Sequence, residues 1–448
     1  MKLPARFKTS LKASIKEGVA AQIMTGMFDY YLIPFALYLK VTNPQIGLLV
    51  SIPPLLASFS QLLTARTMRW AGGAKKLLRI GTFIQAVLLL PIGFLIYFKS
   101  SHGLLWLIVF VAIFRILNNI LGPAWGGLVS RYLPENLRGE YFGRRCQLIA
   151  IAGLVNLYVC GIFLAWMKHF SLAAGFMLIF LAAAIARFIS FYYMGTLVEI
   201  KIPESHEDRF TFWMFISRFR ESNFVKFILY VAGITFATQL SGAYFNVYML
   251  QDLKFNYVQY MLVNLSSVLG GLLVLSVWGR HADVVGNVKI LKTTGALLPI
   301  SPLLWCLAHQ HWQLMLNEAF SGFIWGGFNL CTANFIYDAV SPSKRVRCIG
   351  YFNLINGVAI FAGAALGGYL TKVLPPLNGS PLITLFLISA FIRILVHVVI
   401  SGHFNEVRSS VTPVHSAKLF LSVLGVRPFI GRNVEWTIFP LKWNPFRK

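Results

Sequence analysis

The chain is short of charge, and shortest of acid. Of 448 residues only 12% are Asp, Glu, Lys or Arg, and 15 acids stand against 40 basic residues. Soluble domains carry roughly a quarter charged residues, so an ordinary soluble protein is excluded. Cysteine is also scarce. Cys146, Cys160, Cys306, Cys331 and Cys348 have no paired spacing, so neither a disulfide framework nor a metal site follows. A His-Gln-His stretch at 309–311 is only a weak metal signal. There is no Gly-Lys dipeptide, hence no phosphate-binding P-loop, and neither H-E-x-x-H nor G-x-S-x-G occurs. The expectation is no enzyme, no ATP-driven cycle, no cofactor and no resident metal.

Apolar residues make up 57% of the chain. They fall in blocks of about 20, the length that crosses ~30 Å of hydrocarbon as helix. Twelve spans are expected near 17–40, 44–66, 77–98, 104–128, 146–167, 171–195, 224–250, 257–278, 290–308, 312–338, 348–371 and 381–403. The first is too long for a signal-peptide core and lacks a convincing cleavage site, so it reads as an uncleaved span. A net charge of +25 would point to nucleic acid in a soluble protein. Here 32 of the 40 Lys and Arg lie on one side of the expected spans, five lie opposite and three within. The charge is therefore a topology signal. It places both termini in the cytoplasm and makes anionic lipid, not nucleic acid, the expected partner. The expected location is a bacterial inner (cytoplasmic) membrane, crossed many times.

Five regions follow: a basic N-terminus 1–16, a six-span half 17–198, a central loop 199–223, a second six-span half 224–403 and a tail 404–448. The central loop holds Glu199, Glu204, Glu207, Asp208 and Glu221, a third of all the acids. The halves match at a nearly constant offset. Arg138 and Gly143 are mirrored by Arg345 and Gly350, and Glu199 by Glu406, all shifted by 207, while Arg187 and Arg393 are shifted by 206. These matches indicate duplication of a six-helix unit, and parallel repeats of this kind are a transporter architecture. In the tail, "AKLFLSVLGV" is too short to span. Trp436, Phe439, Trp443 and Phe446 interleave with Arg432, Lys442, Arg447 and Lys448, a mixture suited to the headgroup region.

The loop "GRHADVVGNVKILK" at 279–292 carries Gly279, Asp283, Gly286 and Lys289. It resembles the signature G-x-x-x-D-x-x-G-x-x-[RK] of the major facilitator superfamily. The glycines permit a tight turn, and the Asp can pair with a basic residue or a helix N-terminus. The resemblance covers roughly residues 15 to 405. It implies an all-α fold of twelve transmembrane helices in two six-helix bundles, a monomer moving a small organic solute by rocker-switch alternating access, and a gating role for this loop. The matching loop of the first half reads Ala65, Arg69, Gly72 and Lys75, with Arg69 in place of the acid. "GPAWGG" at 122–127 resembles a drug-antiporter signature, but that signature belongs in span five and this stretch closes span four. It reads as a helix end that Pro123 and the glycines can bend.

Ionisable groups in mid-membrane are costly and are functional candidates by default. Asp29 falls midway along span one, with Gln22 and Thr25 on the same helical face. A carboxylate there can carry a proton whose affinity depends on desolvation and on a neighbouring cation. Arg115 is similarly deep in span four and shares a face with Asn118, Asn119 and Gly122. This resembles the superfamily's R-x-x-Q-G, in which the arginine is linked to proton coupling. Since Arg cannot release its proton, Arg115 would bias a neighbouring carboxylate or bind an anion. Glu318 of span ten, with Ser321, Gly322, Trp325 and Asn329, is a second proton or substrate candidate. Gln239 and Asn246 put polar groups on one face of span seven. In the superfamily, spans one, four, seven and ten line the central cavity. Arg187 and Arg393, in the inner third of spans six and twelve, read as snorkelling to headgroups or pairing with a loop acid, and His397 as a packed histidine. The expected activity is proton-coupled secondary transport of a small organic solute; Arg115 points to an anionic or zwitterionic one, and the asparagines and aromatics suit a polar one equally well. An uncoupled uniporter, or a non-transporting membrane sensor or enzyme, remains the alternative.

Overall fold

The computed structural model describes residues 4–61, 63–97, 102–132, 135–199, 222–340, 342–408 and 414–423. Most of the acidic central loop and the aromatic end of the tail lie outside the described residues. The first half consists of α1 (Ala5–Tyr38), α2 (Asn43–Gln61), short α3 (Thr64–Trp70), α4 (Ala74–Phe94), α5 (Gly103–Val129), α6 (Glu135–Met167) and α7 (Leu172–Gly195). The second consists of α8 (Asn223–Gly242), α9 (Tyr257–Val285), α10 (Asn287–Leu297), α11 (Ile300–Leu307), α12 (His311–Ala339), α13 (Pro342–Val373) and α14 (Pro381–Ile400). A tail helix, α15, covers Ser416–Val423. Polar residues stop the helices where the apolar runs end. Ser171, Ser222 and Asn256 each accept a bond from a backbone N–H in the first turn of the helix that follows, which satisfies one of the groups every helix start leaves open.

Among the described residues, nine helical stretches are long and apolar enough to cross a membrane. The other expected spans are helical as α1, α2 and α12 but fall short of that measure. α1 and α12 carry Gln22, Thr25, Asp29, Asn317, Glu318 and Asn329, and helices facing a polar interior cannot be uniformly apolar. Three segments depart from simple spans. α1 starts at Ala5, so the basic N-terminal segment continues the first span, with Ser10, Leu11 and Ser14 buried. The chain after α8 continues through Tyr244–Val247 and a π turn at Tyr248–Asp252. The span near 290–308 is two helices, α10 and α11, joined around Leu298 and Pro299, where a proline removes a backbone donor. Pro123 does not end its helix, since α5 runs on to Val129.

In the first half α1 packs on α6 and α7, α2 on α5, and α4 on α5 and α7. The second half repeats the pattern, with α8 on α13 and α14, α9 on α12, α10 on α12 and α11 on α14. The halves meet along α2–α13 and α6–α9. Between lipid-solvated helices, close backbone approach replaces the hydrophobic effect as the source of attraction. The α9–α12 contact shows the limit of that approach. A Cβ added to Gly322 would sit 1.9 Å from the Ser267 carbonyl oxygen, and one on Gly270 2.1 Å from that of Ala319. Among the described residues, hydrogen bonds that cross between halves include Tyr244 Oη to the Asn43 carbonyl at 3.3 Å, Tyr260 Oη to the Tyr30 carbonyl at 2.8 Å, and Asn353 Nδ2 to Gln61 Oε1 at 2.7 Å.

The loops before α4 and α10 are latched alike. Glu199 accepts the Lys75 N–H at 2.9 Å and Glu406 the Val288 N–H at 2.9 Å. Each acid follows the sixth helix of its half and caps the third, where the helix dipole favours negative charge. Gly73 (φ 133°) and Gly286 (φ 84°) supply the left-handed turns that bring the chain there. The first-half loop, which has Arg69 where the signature has an acid, keeps this latch through Glu199. In the second half Arg408 donates to Asp338 at 2.8 Å and pairs with exposed Asp283 at 3.5 Å, while Asn287 also donates to Asp338 at 2.7 Å. The bonds to Asp338, with Asp283 behind them, hold the Arg408 guanidinium above its ordinary value. Lys289 follows in the first turn of α10. Beyond Arg408, α15 lies against α9 and α10 with Leu419 and Val423 buried, and Ser422 bonds His281 at 3.1 Å. That part of the tail docks on protein, whereas residues 424–448 lie outside the described residues.

Gly322→Val should abolish the α9–α12 approach. The expected result is loss of the monodisperse species on size-exclusion chromatography, while Gly126→Ala, where a Cβ meets nothing within 4 Å, leaves it intact.

Candidate functional site

Helical register brings Gln22, Thr25 and Asp29 to one face of α1, and there they line a cavity of about 350 Å³. Gly26, Tyr30, Asn246, Tyr260 and Asn264 complete its wall. Arg115 Nη2 of α5 reaches Asp29 Oδ1 at 2.6 Å. The guanidinium also lies over the Phe28 ring, 5.3 Å from its centroid. Both side chains of the pair keep about a third of their surface open (30% and 36%). The charges are therefore paired by protein yet reachable from the cavity. Tyr260 closes one side by donating to the Tyr30 carbonyl. The lining offers one carboxylate, whose guanidinium partner Arg115 stands behind it, with three carboxamides, a threonine and two phenols. It can hydrogen-bond a polar solute and compete for either member of the ion pair.

The remaining candidates sit elsewhere. Asn118 is exposed and Asn119 half-buried on α5 near Arg115, and Gly122 faces open space. Gln239 is half-buried against Gly242 and Gly363. Trp325 packs edge-on against Phe328, and Asn329 is exposed on α12. Glu318 accepts a bond from Trp305 Nε1 at 3.0 Å; Trp305 belongs to α11, so this carboxylate is engaged inside the second bundle and is not among the residues lining the cavity. Arg138 and Arg345 fall at matching places in the first turns of α6 and α13, but their side chains lie outside the described residues; Gly143 and Gly350 follow in the same helices.

Arg187 and Arg393 do not snorkel. Both are buried, at 4% and 2% exposure, because they point into the bundles and not along them to the surface. Arg187 donates from Nε to Gln85 Oε1 at 3.0 Å, with a second, shorter bond from Nη2 to the same oxygen, and from Nη1 to Ser190 at 3.1 Å. Ser190 in turn donates to Glu17 Oε1 at 3.1 Å, and Arg145 pairs with Glu17 Oε2 at 3.3 Å. Arg393 donates to the Leu298 carbonyl at 3.0 Å and to Ser241 at 3.3 Å. No carboxylate lies within 4 Å of it among the described residues. Glu17 was the residue missed from the sequence. Its signal was indirect: an arginine buried deep in span six needs polar partners, and Glu17 stands on the continuous helix α1. His397 is packed, its Nδ1 3.0 Å from the Tyr230 hydroxyl.

Two apolar-faced helical bundles joined at α2–α13 and enclosing a polar cavity define a polytopic membrane protein of transporter-like architecture. Residues 229–441 match the family model of the Major Facilitator Superfamily. The fold resembles the crystal structure of the nucleoside transporter NupG, with TM-score 0.69 and 16% identity over 88% of this chain and 98% of that one. It also resembles a bacterial homologue of the iron transporter ferroportin in its inward-facing state, with TM-score 0.66 and 12% identity over 88% and 98%. A stretch of 134 residues is 30% identical to the class B tetracycline resistance protein of Escherichia coli, covering 30% of this chain and 31% of that relative. By sequence the likeness to that superfamily lies in residues 229–441, and the likeness in fold extends over 88% of the chain.

Removing one partner of a buried ion pair strands the other charge, which typically costs about 3–5 kcal/mol. Glu17→Ala should therefore lower the thermal unfolding midpoint in detergent sharply. The double variant Glu17→Leu with Arg187→Met should unfold at a higher temperature than Glu17→Ala alone.

Proposed function

We propose that the chain is a secondary active transporter for a small polar organic solute, coupled to protons through the Asp29–Arg115 pair. In this reading twelve helices span the membrane, with α10 and α11 sharing one span, and both termini face the cytoplasm of a bacterial inner membrane. The two bundles rock about the α2–α13 seam and expose the cavity to alternate sides. The single observation that carries the reading is an ion pair at 2.6 Å whose carboxylate lines a polar cavity. Proton binding by Asp29 then depends on whether Arg115 stays beside it, because a neighbouring cation favours the carboxylate and desolvation disfavours it. Solute contacts or bundle motion that separate the pair would release Asp29 to take up a proton. Carboxamides, phenols and a threonine suit a neutral or zwitterionic organic molecule. Among the described residues no group of three or more His, Cys, Asp and Glu is placed to hold a metal ion, which makes a metal cargo the weaker fit.

A second reading keeps the fold without coupling. It is favoured by the stacking of Arg115 over Phe28, itself packed on Phe114 at 4.4 Å, which would suit a static pair. A thermal-shift screen of nucleosides, short peptides and sugars identifies a ligand, since a solute that binds only the folded state raises the midpoint. Flux of that solute is then followed in proteoliposomes under an imposed pH gradient. Asp29→Asn should lose uphill accumulation and retain counterflow exchange. Accumulation by Asp29→Asn at the wild-type level would leave the uncoupled reading standing.

A further inference from the structure

Between α4 and α7, near the end of the molecule where the basic loops gather, a groove of about 270 Å³ opens on the outer face of the first bundle. Ile80, Phe83 and Phe191 form its floor, and Lys76 and Arg79 stand at its mouth. The apolar part is built. Phe83 packs against both Phe188 and Phe191, with ring centroids 6.0 and 5.6 Å away, and Ile80 and Phe83 leave about half their surface exposed (54% and 47%). The Arg79 guanidinium is parked over the Phe191 ring at 5.3 Å. Neither Lys76 nor Arg79 has a carboxylate within 4 Å among the described residues. Glu199, the acid at this end of α4, is committed to the Lys75 N–H. At 1.5 Å per residue, the two cations lie within the first two turns of α4 and Phe83 sits ~6 Å deeper than Arg79. The duplication does not impose the charges. The same shift of 214 that aligns Gly72 with Gly286 puts Ile290 and Thr293, both buried, where the first half has Lys76 and Arg79.

We propose that this groove is a binding site for one anionic phospholipid, with the phosphate held by Lys76 and Arg79 and an acyl chain laid along Ile80, Phe83 and Phe191. The pairing follows from chemistry. A guanidinium and an ammonium side by side, with no acid paired to them among the described residues, fit a phosphodiester, and the aromatic floor directly beneath them fits hydrocarbon. A zwitterionic choline headgroup would bring a third cation to the same mouth. The proposal rests on the membrane-spanning part of the proposed function and on neither its coupling nor its solute, so failed flux experiments would leave it untouched.

The test places the full chain in nanodiscs containing photoactivatable phosphatidylglycerol or photoactivatable phosphatidylcholine at equal mole fraction, and maps the labelled peptides by mass spectrometry. The glycerol lipid should label 76–83 and 188–192 at least about threefold more than the choline lipid, given roughly 1 kcal/mol of attraction per basic residue near an anionic surface. Lys76→Gln with Arg79→Gln should bring it down to the choline level, while the protein elutes unchanged on size exclusion. Ile80→Trp, which fills the groove and keeps both cations, should also remove the label. Equal labelling by both lipids, or labelling that survives the paired Gln variant, overturns the site. Survival in Ile80→Trp overturns the acyl-chain half of it. Competition by excess inorganic phosphate would mark a free-anion site in place of a lipid one.

Discussion

A guanidinium keeps its charge at any pH a cell visits, so each arginine taken into the bundles must be met by protein. The first half is organised around that demand. Arg187 of α7 draws Gln85 from α4, Ser190 from its own helix and Glu17 from α1, and Glu17 draws Arg145 from α6. Four helices are tied at one level by these side chains. Arg115 meets the same demand differently. Its acid, Asp29, lies on α1 three turns beyond Glu17, and the pair opens onto the cavity. The two pairs differ in what breaking them costs. Parting Glu17 from its arginines leaves charge uncompensated in a sealed interior. Parting Asp29 from Arg115 exposes both to a cavity that can offer water or a polar solute. The first pair is suited to hold the bundle, the second to respond.

The ends of the helices add a second set of ties. In each half an acid just past the last long helix caps the helix that opens the third expected span, so Glu199 joins α7 to α4 and Glu406 joins α14 to α10. Among the described residues, the tail extends this in the second half. Arg408 reaches Asp338 and Asp283, and α15 covers the end of α9. The signature loop Gly279–Lys289 is therefore fastened to α12 and to the tail together, so any motion of that loop must carry them with it.

Much of this was legible in the sequence. Helical period and the spacing of apolar runs predicted where helices lie, and the register of α1 alone placed Gln22, Thr25 and Asp29 together. The repeat of Glu199 and Glu406 was visible as a shift of 207, although its meaning as paired helix caps needed the turn geometry at Gly73 and Gly286. Other parts were not legible, for physical reasons. Glu17 stands at the expected mouth of a span, where a carboxylate reads as solvated; only the packing of α6 and α7 buries it. Depth along a helix does not reveal which way an arginine points, so Arg187 and Arg393 read as snorkelling. Tyr30 and Tyr260 do not interrupt an apolar pattern, and nothing in the pattern marks their hydroxyls as cavity lining. Glu318 shares a helical face with Trp325, yet its bond to Trp305 depends on how α11 folds back beside α12.

The duplicated positions show how the halves diverged. Arg115 and Gly322 occupy the same place, 207 residues apart. In α5 the arginine side chain reaches across to α1, and the helix beyond it is loosely surrounded, with nothing near a Cβ at Gly122 or Gly126. In α12 the glycine brings the backbone against Ser267 of α9, and Gly327 meets the Trp278 ring in the same way. One position cannot do both. A long charged side chain props neighbouring helices apart and leaves space beside it, and a glycine closes that space. The first half therefore kept the charge and the opening, and the second became the tighter pack. The same repeat position thus carries an ion pair to α1 in one half and a backbone contact to α9 in the other.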